Sequence, residues 1–191
     1  MKQACAVLDF WFGAPGTAEA GRPRKAWFEK NPQFDDEIRT RFGALQAAAA
    51  AGRFDAWQAS PRGALALIVM LDQFPRNLFR GMPAAFACDE KALSLARRVV
   101  ARRFDRDLTP TERVFVYLPF EHAEDLDTQR ESMRLFAGLR FDPGSIGNID
   151  YARRHFEIIA RFGRFPHRNR ILGRDSTAEE SGFVTQPGSG F

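Results

Sequence analysis

The chain has 191 residues, a length that favours one domain and suffices to bury a core without disulfide or metal staples. Apolar residues make up 45% and charged residues 27%, which excludes a disordered chain, and two cysteines exclude a disulfide framework. The net charge of +4, carried mostly by arginine, points toward anionic partners, although arginines on solvated faces give the same total.

No apolar run approaches the roughly 18 residues of a membrane span. The opening Met1-Lys-Gln-Ala-Cys-Ala-Val-Leu-Asp9 meets a charge too soon for a signal peptide. A cytoplasmic protein is therefore expected. Residues 4–12 read as a short helix stopped by Gly13, and Ala14 to Arg22 as a loop. Trp27 and Phe28 sit in a short helical piece that breaks before Pro32. Pro32 to Ala51 is a helix, with Asp35, Asp36 and Glu37 near its positive end, an inward stripe of Ile38, Phe42, Leu45 and Ala49, and Gly52 as its stop.

Ser60-Pro61 is an N-cap followed by a first-turn proline. The helix it opens, Pro61 to Gln73, is apolar all round and is expected at the centre of the domain. Asp72 and Gln73 form its polar end. A buried carboxylate there is opposed by the helix dipole and by desolvation, so Asp72 needs a cation such as Arg76. Phe74-Pro75 should kink or stop the helix. Pro83 to Ala101 reads as a helix with Phe86, Leu93, Ala96 and Val100 inward.

Thr109-Pro-Thr-Glu112 is a capping box that opens a short helix to Leu118. The spacing predicts a further helix over 120–139, with His122, Leu126, Gln129, Met133 and Phe136 on one face. Another is predicted over 149–162, with Ala152, His155, Phe156, Ile159 and Phe162 inward and Gly163 as stop. His122, Gln129 and His155 are thus polar on apolar faces and are expected to be buried. Ser176-Thr-Ala-Glu179 reads as a second capping box, opening a final short helix, and Pro187 to Phe191 as a tail. No segment alternates with strand period. The expected fold is all-α: one helical domain over 1–191, built of stacked antiparallel helix pairs.

Two segments stand out. Leu71-Asp-Gln-Phe-Pro-Arg-Asn-Leu-Phe-Arg-Gly81 and Arg161-Phe-Gly-Arg-Phe-Pro-His-Arg-Asn-Arg-Ile-Leu-Gly-Arg174 share a Phe-Pro turn followed by arginine and asparagine. With Tyr117-Leu-Pro-Phe-Glu-His-Ala-Glu-Asp125, the opening Val7-Leu-Asp-Phe-Trp-Phe-Gly13 and the ending Pro187-Gly-Ser-Gly-Phe191, they resemble the bacterial domain-of-unknown-function 924 family over nearly the whole chain. The resemblance implies an irregular tetratricopeptide-like α-α superhelix and implies no established activity. The family often carries His-Ser-Glu where this chain has His122-Ala123-Glu124, so a serine nucleophile is absent at that point.

The strongest constellation is Arg76, Arg80, Arg164, Arg168 and Arg174 with Asn77 and Asn169. Arginine forks grip carboxylate or phosphate in a bidentate manner. The alternative is an internal network joining these arginines to Asp72 and the acids of 121–131. Together with Gln73, Glu124, His122, His155 and His167, these residues are the candidate ligand-binding set. Asp72, Arg76, His122, Glu124, Arg164 and Arg168 are expected to share one pocket or network near the end of the 61–73 helix.

The lead expectation is a binding module for an anionic small molecule or a carboxylate-bearing peptide. The alternative is a hydrolase or lyase using His122 with Glu124 or Asp72, with or without metal assistance. No cofactor or metal site is expected: His-Glu-x-x-His, cysteine-pair and phosphate-loop motifs are missing. Arg161 to Arg170 interleaves arginine with Phe162 and Phe165, a pattern that also suits nucleic acid. That reading is disfavoured because Phe162 ends a core stripe. Oligomeric state is not legible.

Overall fold

A computed structural model describes residues 2–186 and 189. It is all-α, with no strand among the described residues. The helices are α1 (Lys2–Phe12), α2 (Pro32–Ala50), α3 (Pro61–Ile68), α4 (Phe74–Leu78), α5 (Asp89–Ala101), α6 (Pro110–Glu121), α7 (Leu126–Ala137), α8 (Ile146–Phe162) and α9 (Ala178–Val184). No described helix is long and apolar enough to cross a membrane. The expected tail lies largely outside the described residues.

α3 is the central element. Every residue from Gly63 to Pro75 is buried, and the helix packs against α1, α5 and α6. A fully buried leucine or isoleucine contributes about 1.5–3 kcal/mol, so this element is a main source of stability. Ser60 caps it by accepting the Gly63 N–H. Gly63 is required there, because a Cβ would lie 2.2 Å from the Trp57 carbonyl oxygen. An aromatic cluster closes the core beside it: the Trp11 ring meets Trp27, Phe34, Phe74 and Phe115 at centroid distances of 5.6–6.1 Å.

Phe74-Pro75 does not stop the helix. Val69–Gln73 forms a π-turn, in which the Phe74 N–H reaches back five residues to the Val69 carbonyl, and α4 follows directly. A proline inside a regular helix removes one hydrogen bond and its ring meets the carbonyl four residues earlier. The wider turn relieves that clash, and such turns recur at functional sites.

Four other expectations are corrected. The 83–101 stretch is a 3-10 turn (Pro83–Ala85) followed by α5, whose fully buried face is Ala92, Leu95, Ala96 and Val99, with the expected Leu93 and Val100 packed against the core at its edge. The 120–139 helix is broken: α6 runs through Pro119 to Glu121, and Asp125 starts α7 by accepting the Thr128 N–H at 2.8 Å. α8 begins at Ile146, three residues earlier than its period indicates. The second capping box is Thr177 with Glu180, one residue later than expected. In contrast, the Thr109–Glu112 box is formed as read, and Gln129 and His155 are buried. α6, α7 and α8 pack on one another in succession, which brings the end of α6 against α8.

Candidate functional site

The break after Glu121 positions the site. The end of the π-turn with α4, the turn after α4, the end of α6, the first half of α8 and the 165–171 segment surround a cavity of about 530 Å³. Gln73, Arg76, Asn77, Arg80, His122, His155, His167 and Arg168 line it. Five of the thirteen sequence-derived candidates do not: Asp72, Glu124, Arg164, Asn169 and Arg174.

Asp72 is fully buried behind the cavity wall. His122 Nδ1 lies 2.8 Å from its Oδ1, Gln73 Nε2 donates to its Oδ2 at 2.6 Å, and Arg76 Nη1 stands 3.5 Å away. Burial alone would raise its pKa, but the charges of Arg76 and His122 and the hydrogen bonds outweigh it and hold the carboxyl below its usual range. An ionised carboxylate only accepts, so His122 Nδ1 carries the proton. Burial and the Arg76 charge press the His122 pKa down against the pull of Asp72, so the ring is neutral at pH 7. Its remaining nitrogen, Nε2, is then an acceptor at the cavity wall. The arrangement is an oriented aspartate–histidine pair, with one ring nitrogen fixed and the other presented.

Glu121, one residue earlier, behaves in the opposite way. Burial, and secondarily the negative charge of Asp72, push its pKa well above the carboxylate range. Oε1 lies 3.1 Å from His155 Nδ1, and Oε2 is buried with no hydrogen-bond partner. Glu121 therefore sits in the cavity wall as a neutral carboxylic acid. His155 Nδ1 also approaches the Tyr151 carbonyl at 2.9 Å, and burial lowers the His155 pKa to about 3. His167 is lowered to about 4 by burial and by Arg168.

The two Phe-Pro segments meet across α5. Arg76 grips Asp89 with both terminal nitrogens at 2.9 and 3.0 Å, and Arg168 Nη1 reaches the same carboxylate at 3.5 Å. The Arg168 guanidinium lies 4.7 Å from the Phe86 ring centroid and 4.5 Å from that of Phe165. Arg168 is only 6% exposed, its Nε has no acceptor, and among the described residues the 3.5 Å contact is its sole hydrogen bond to a carboxylate. Burial and the neighbouring Arg76 charge lower its pKa to about 10, so it stays cationic. Arg80 is better satisfied: Nε and Nη2 hold Asp35 at 2.6 and 2.9 Å, and Asn77 Nδ2 donates to the same group at 2.7 Å.

The remaining candidates build the wall. Arg174 clasps Glu124 at 2.5 and 2.9 Å, and Glu124 also accepts the Phe165 N–H at 2.7 Å, which fixes the second Phe-Pro turn. Asn169 Oδ1 accepts from Arg174 Nε at 3.0 Å, while its amide donates to Ser176. Arg164 turns away and pairs with Glu180 at 2.6 and 2.8 Å. The grouping of Glu124 and Arg164 with His122 in one pocket therefore does not hold in the geometry. Among the described residues no cluster of three histidine, cysteine or acidic side chains is placed to hold a metal ion.

Several participants were not singled out from the sequence. Asp35 reads as an ordinary first-turn acid and Asp89 carries no signal of its own within the 83–101 stretch, although the unmatched arginines downstream call for distant carboxylates. Glu121 was one acid in a cluster, and only the adjacent stripe residue His122 hinted at its burial. Trp27, Phe28 and Tyr151 also line the cavity.

Fold and site together define an all-α protein with a histidine- and arginine-lined cavity. Residues 7–188 match the family described as "Bacterial protein of unknown function (DUF924)", and the chain belongs to that family. It is similar to a protein of unknown function, ATU0120 from Agrobacterium tumefaciens, at 37% identity and a TM-score of 0.84, over 96% of this chain and 97% of that one. No curated protein matches.

Proposed function

We propose that the cavity binds the oxyanion of a small molecule, carboxylate or phosphate, through Arg168 and its neighbours. The observation that carries this reading is the near-complete burial of Arg168, with an unfilled Nε and one long contact to a carboxylate that Arg76 already occupies. A buried guanidinium lacking acceptors is costly, and a bidentate oxyanion supplies them. The asymmetry of supply supports it further. Asp35 and Asp89 approach the arginines without lining the cavity, so the faces turned inward are cationic or neutral. The scaffold is read as an irregular tetratricopeptide-like stack, supported by the successive packing of α6, α7 and α8.

Thermal-shift and calorimetric titrations with inorganic phosphate and with oxalate, against chloride at equal ionic strength, test the reading. An anion at tenfold excess over its Kd should stabilise the protein by about 1.4 kcal/mol. Arg168→Gln should abolish the effect and Arg164→Gln, on the far side of the second Phe-Pro turn, should retain it. Wild-type protein that responds to neither anion beyond the chloride control would overturn the reading.

A second reading is favoured by the juxtaposition of Asp72–His122 with neutral Glu121. An oriented base beside a protonated acid is how one site moves protons in both directions at neutral pH. His122 Nε2 would accept a proton from water or from a carbon next to the bound anion, and Glu121 would return one to the leaving group, as in a hydrolase or lyase. In ²H₂O, a panel of small carboxylates should show His122-dependent deuterium uptake at the adjacent carbon. No exchange, or exchange that persists in His122→Gln, removes the carbon-acid (lyase) form of this reading and leaves oxyanion binding intact.

A further inference from the structure

The lining of the cavity is not uniform in chemistry. Part of its lining is polar, with Arg76, Arg168, His122 and His167, and part is aromatic or apolar, with Trp27, Phe28, Leu118 and Tyr151. A smaller cavity of about 180 Å³ adjoins the aromatic part, shares Trp27, Phe28, Asn148 and Tyr151 with it, and continues over Val114 and Phe115. Phe28 is 60% exposed and Tyr151 50% exposed, at the edge common to both.

These aromatics are held in place. The Phe28 ring stacks on Phe115 at 6.2 Å with an interplanar angle of 7°, and meets Trp27 edge-on at 6.3 Å. Trp27 is anchored in turn by donating from Nε1 to the Trp11 carbonyl at 3.0 Å. A flat group arriving here meets a pre-formed platform and orders little on binding. A bare inorganic anion at Arg168 would leave most of the 530 Å³ unfilled.

We infer that the ligand is amphiphilic: an oxyanion seated at Arg168, joined to a planar aromatic or comparably apolar body that lies against Trp27, Phe28 and Tyr151. The inference rests on the oxyanion reading above and adds the chemical class of the rest of the molecule. The occupant is a small molecule because the apolar surface is continuous with the cationic cavity and enclosed by the same elements. Thr111, Ser145 and Asn148 on the rim of the smaller cavity leave room for polar substituents at the far edge of the ring.

Calorimetric titration of the full chain with two matched pairs tests this: inorganic phosphate against 1-naphthyl phosphate, and acetate against 1-naphthylacetate. Within the pair whose anion binds, the naphthyl compound should bind at least about tenfold tighter. The two pairs separate phosphate from carboxylate as the head. In the Phe28→Ala/Tyr151→Ala variant the naphthyl advantage should fall below about threefold. Both side chains are half exposed or more, so the fold tolerates their loss. Equal affinities within each pair, or an advantage that survives the double variant, overturn the amphiphile while leaving oxyanion binding in place. Failure of all four compounds to bind wild-type protein ends both readings. Binding of the naphthyl compounds that is indifferent to Arg168→Gln ends the joined-head geometry as well.

Discussion

Replacing Asp72 with alanine is expected to cost about 3–5 kcal/mol, the range for removing one partner of a buried charge pair. Three side chains depend on this carboxylate: Gln73, Arg76 and His122. Its loss leaves the His122 and Gln73 donors without an acceptor in a buried wall, and leaves Arg76 balanced by Asp89 alone. A side-chain-sized void at the end of α3 adds to the cost. Asp72→Asn keeps the shape and one acceptor oxygen, so it should cost less than the alanine variant. Urea unfolding at pH 7 measures both. A loss under about 1 kcal/mol for Asp72→Ala would mean that Arg76 and His122 hold their places without it. Because the Asp72 pKa is lowered on folding, its contribution is present above the unfolded value of 3.8 and is lost as pH falls through the depressed native value.

Stability should pass through a maximum near pH 6.5, set by groups that titrate in opposite senses. His122, His155 and His167 all have native pKa values below the unfolded 6.5, so below that pH the unfolded chain binds more protons and stability falls with falling pH. His167 contributes a loss of about 1.4 kcal/mol per pH unit down to about 4 and His155 the same down to about 3, while His122 adds in the same direction. Glu121 acts the other way. Its native pKa is raised, so above the unfolded 4.5 the native state holds the extra proton and stability falls as pH rises. Between pH 4.5 and 6.5 His155 and His167 together outweigh Glu121, leaving a net loss on acidification of at least about 1.4 kcal/mol per unit to which the lowered His122 adds, and above 6.5 the raised Glu121 pKa makes stability fall as pH rises. Glu121→Gln should flatten the alkaline limb and steepen the acid one. Unfolding free energies that are level from pH 5 to 8 in wild-type protein would show that these groups are not held in the protonation states their burial imposes.

Features decided within one or two turns of chain were legible in the residues. Ser60-Pro61 and Thr109-Pro110 start helices where they stand, because a hydroxyl beside free backbone N–H groups and a ring with no N–H need no distant partner. The all-apolar run of 64–71 had nowhere to go but the centre, and His155 and Gln129 followed their apolar stripes inside. The misread elements also have local causes. Asp125 competes for the N-cap in the middle of what reads as one helix, and the π-turn lets α4 pass a proline that a regular helix would not.

What sequence by itself determined is thus the α-helical class, the buried helix ending in Asp72, and a need for counter-charges around it. Which charges answer was decided only by tertiary structure. Asp35 and Arg80 are 45 residues apart, Asp89 and Arg168 79, and Glu124 and Arg174 50. Arg164 and Arg168 look alike in sequence, yet one turns away from the cavity to pair with Glu180 and the other is closed between Phe86 and Phe165. Electrostatic energy depends on distance and on exclusion of water, and neither is defined until the helices pack. The same packing makes Glu121 an acid that keeps its proton and His122 a base that lacks one, although they are neighbours on one turn of α6.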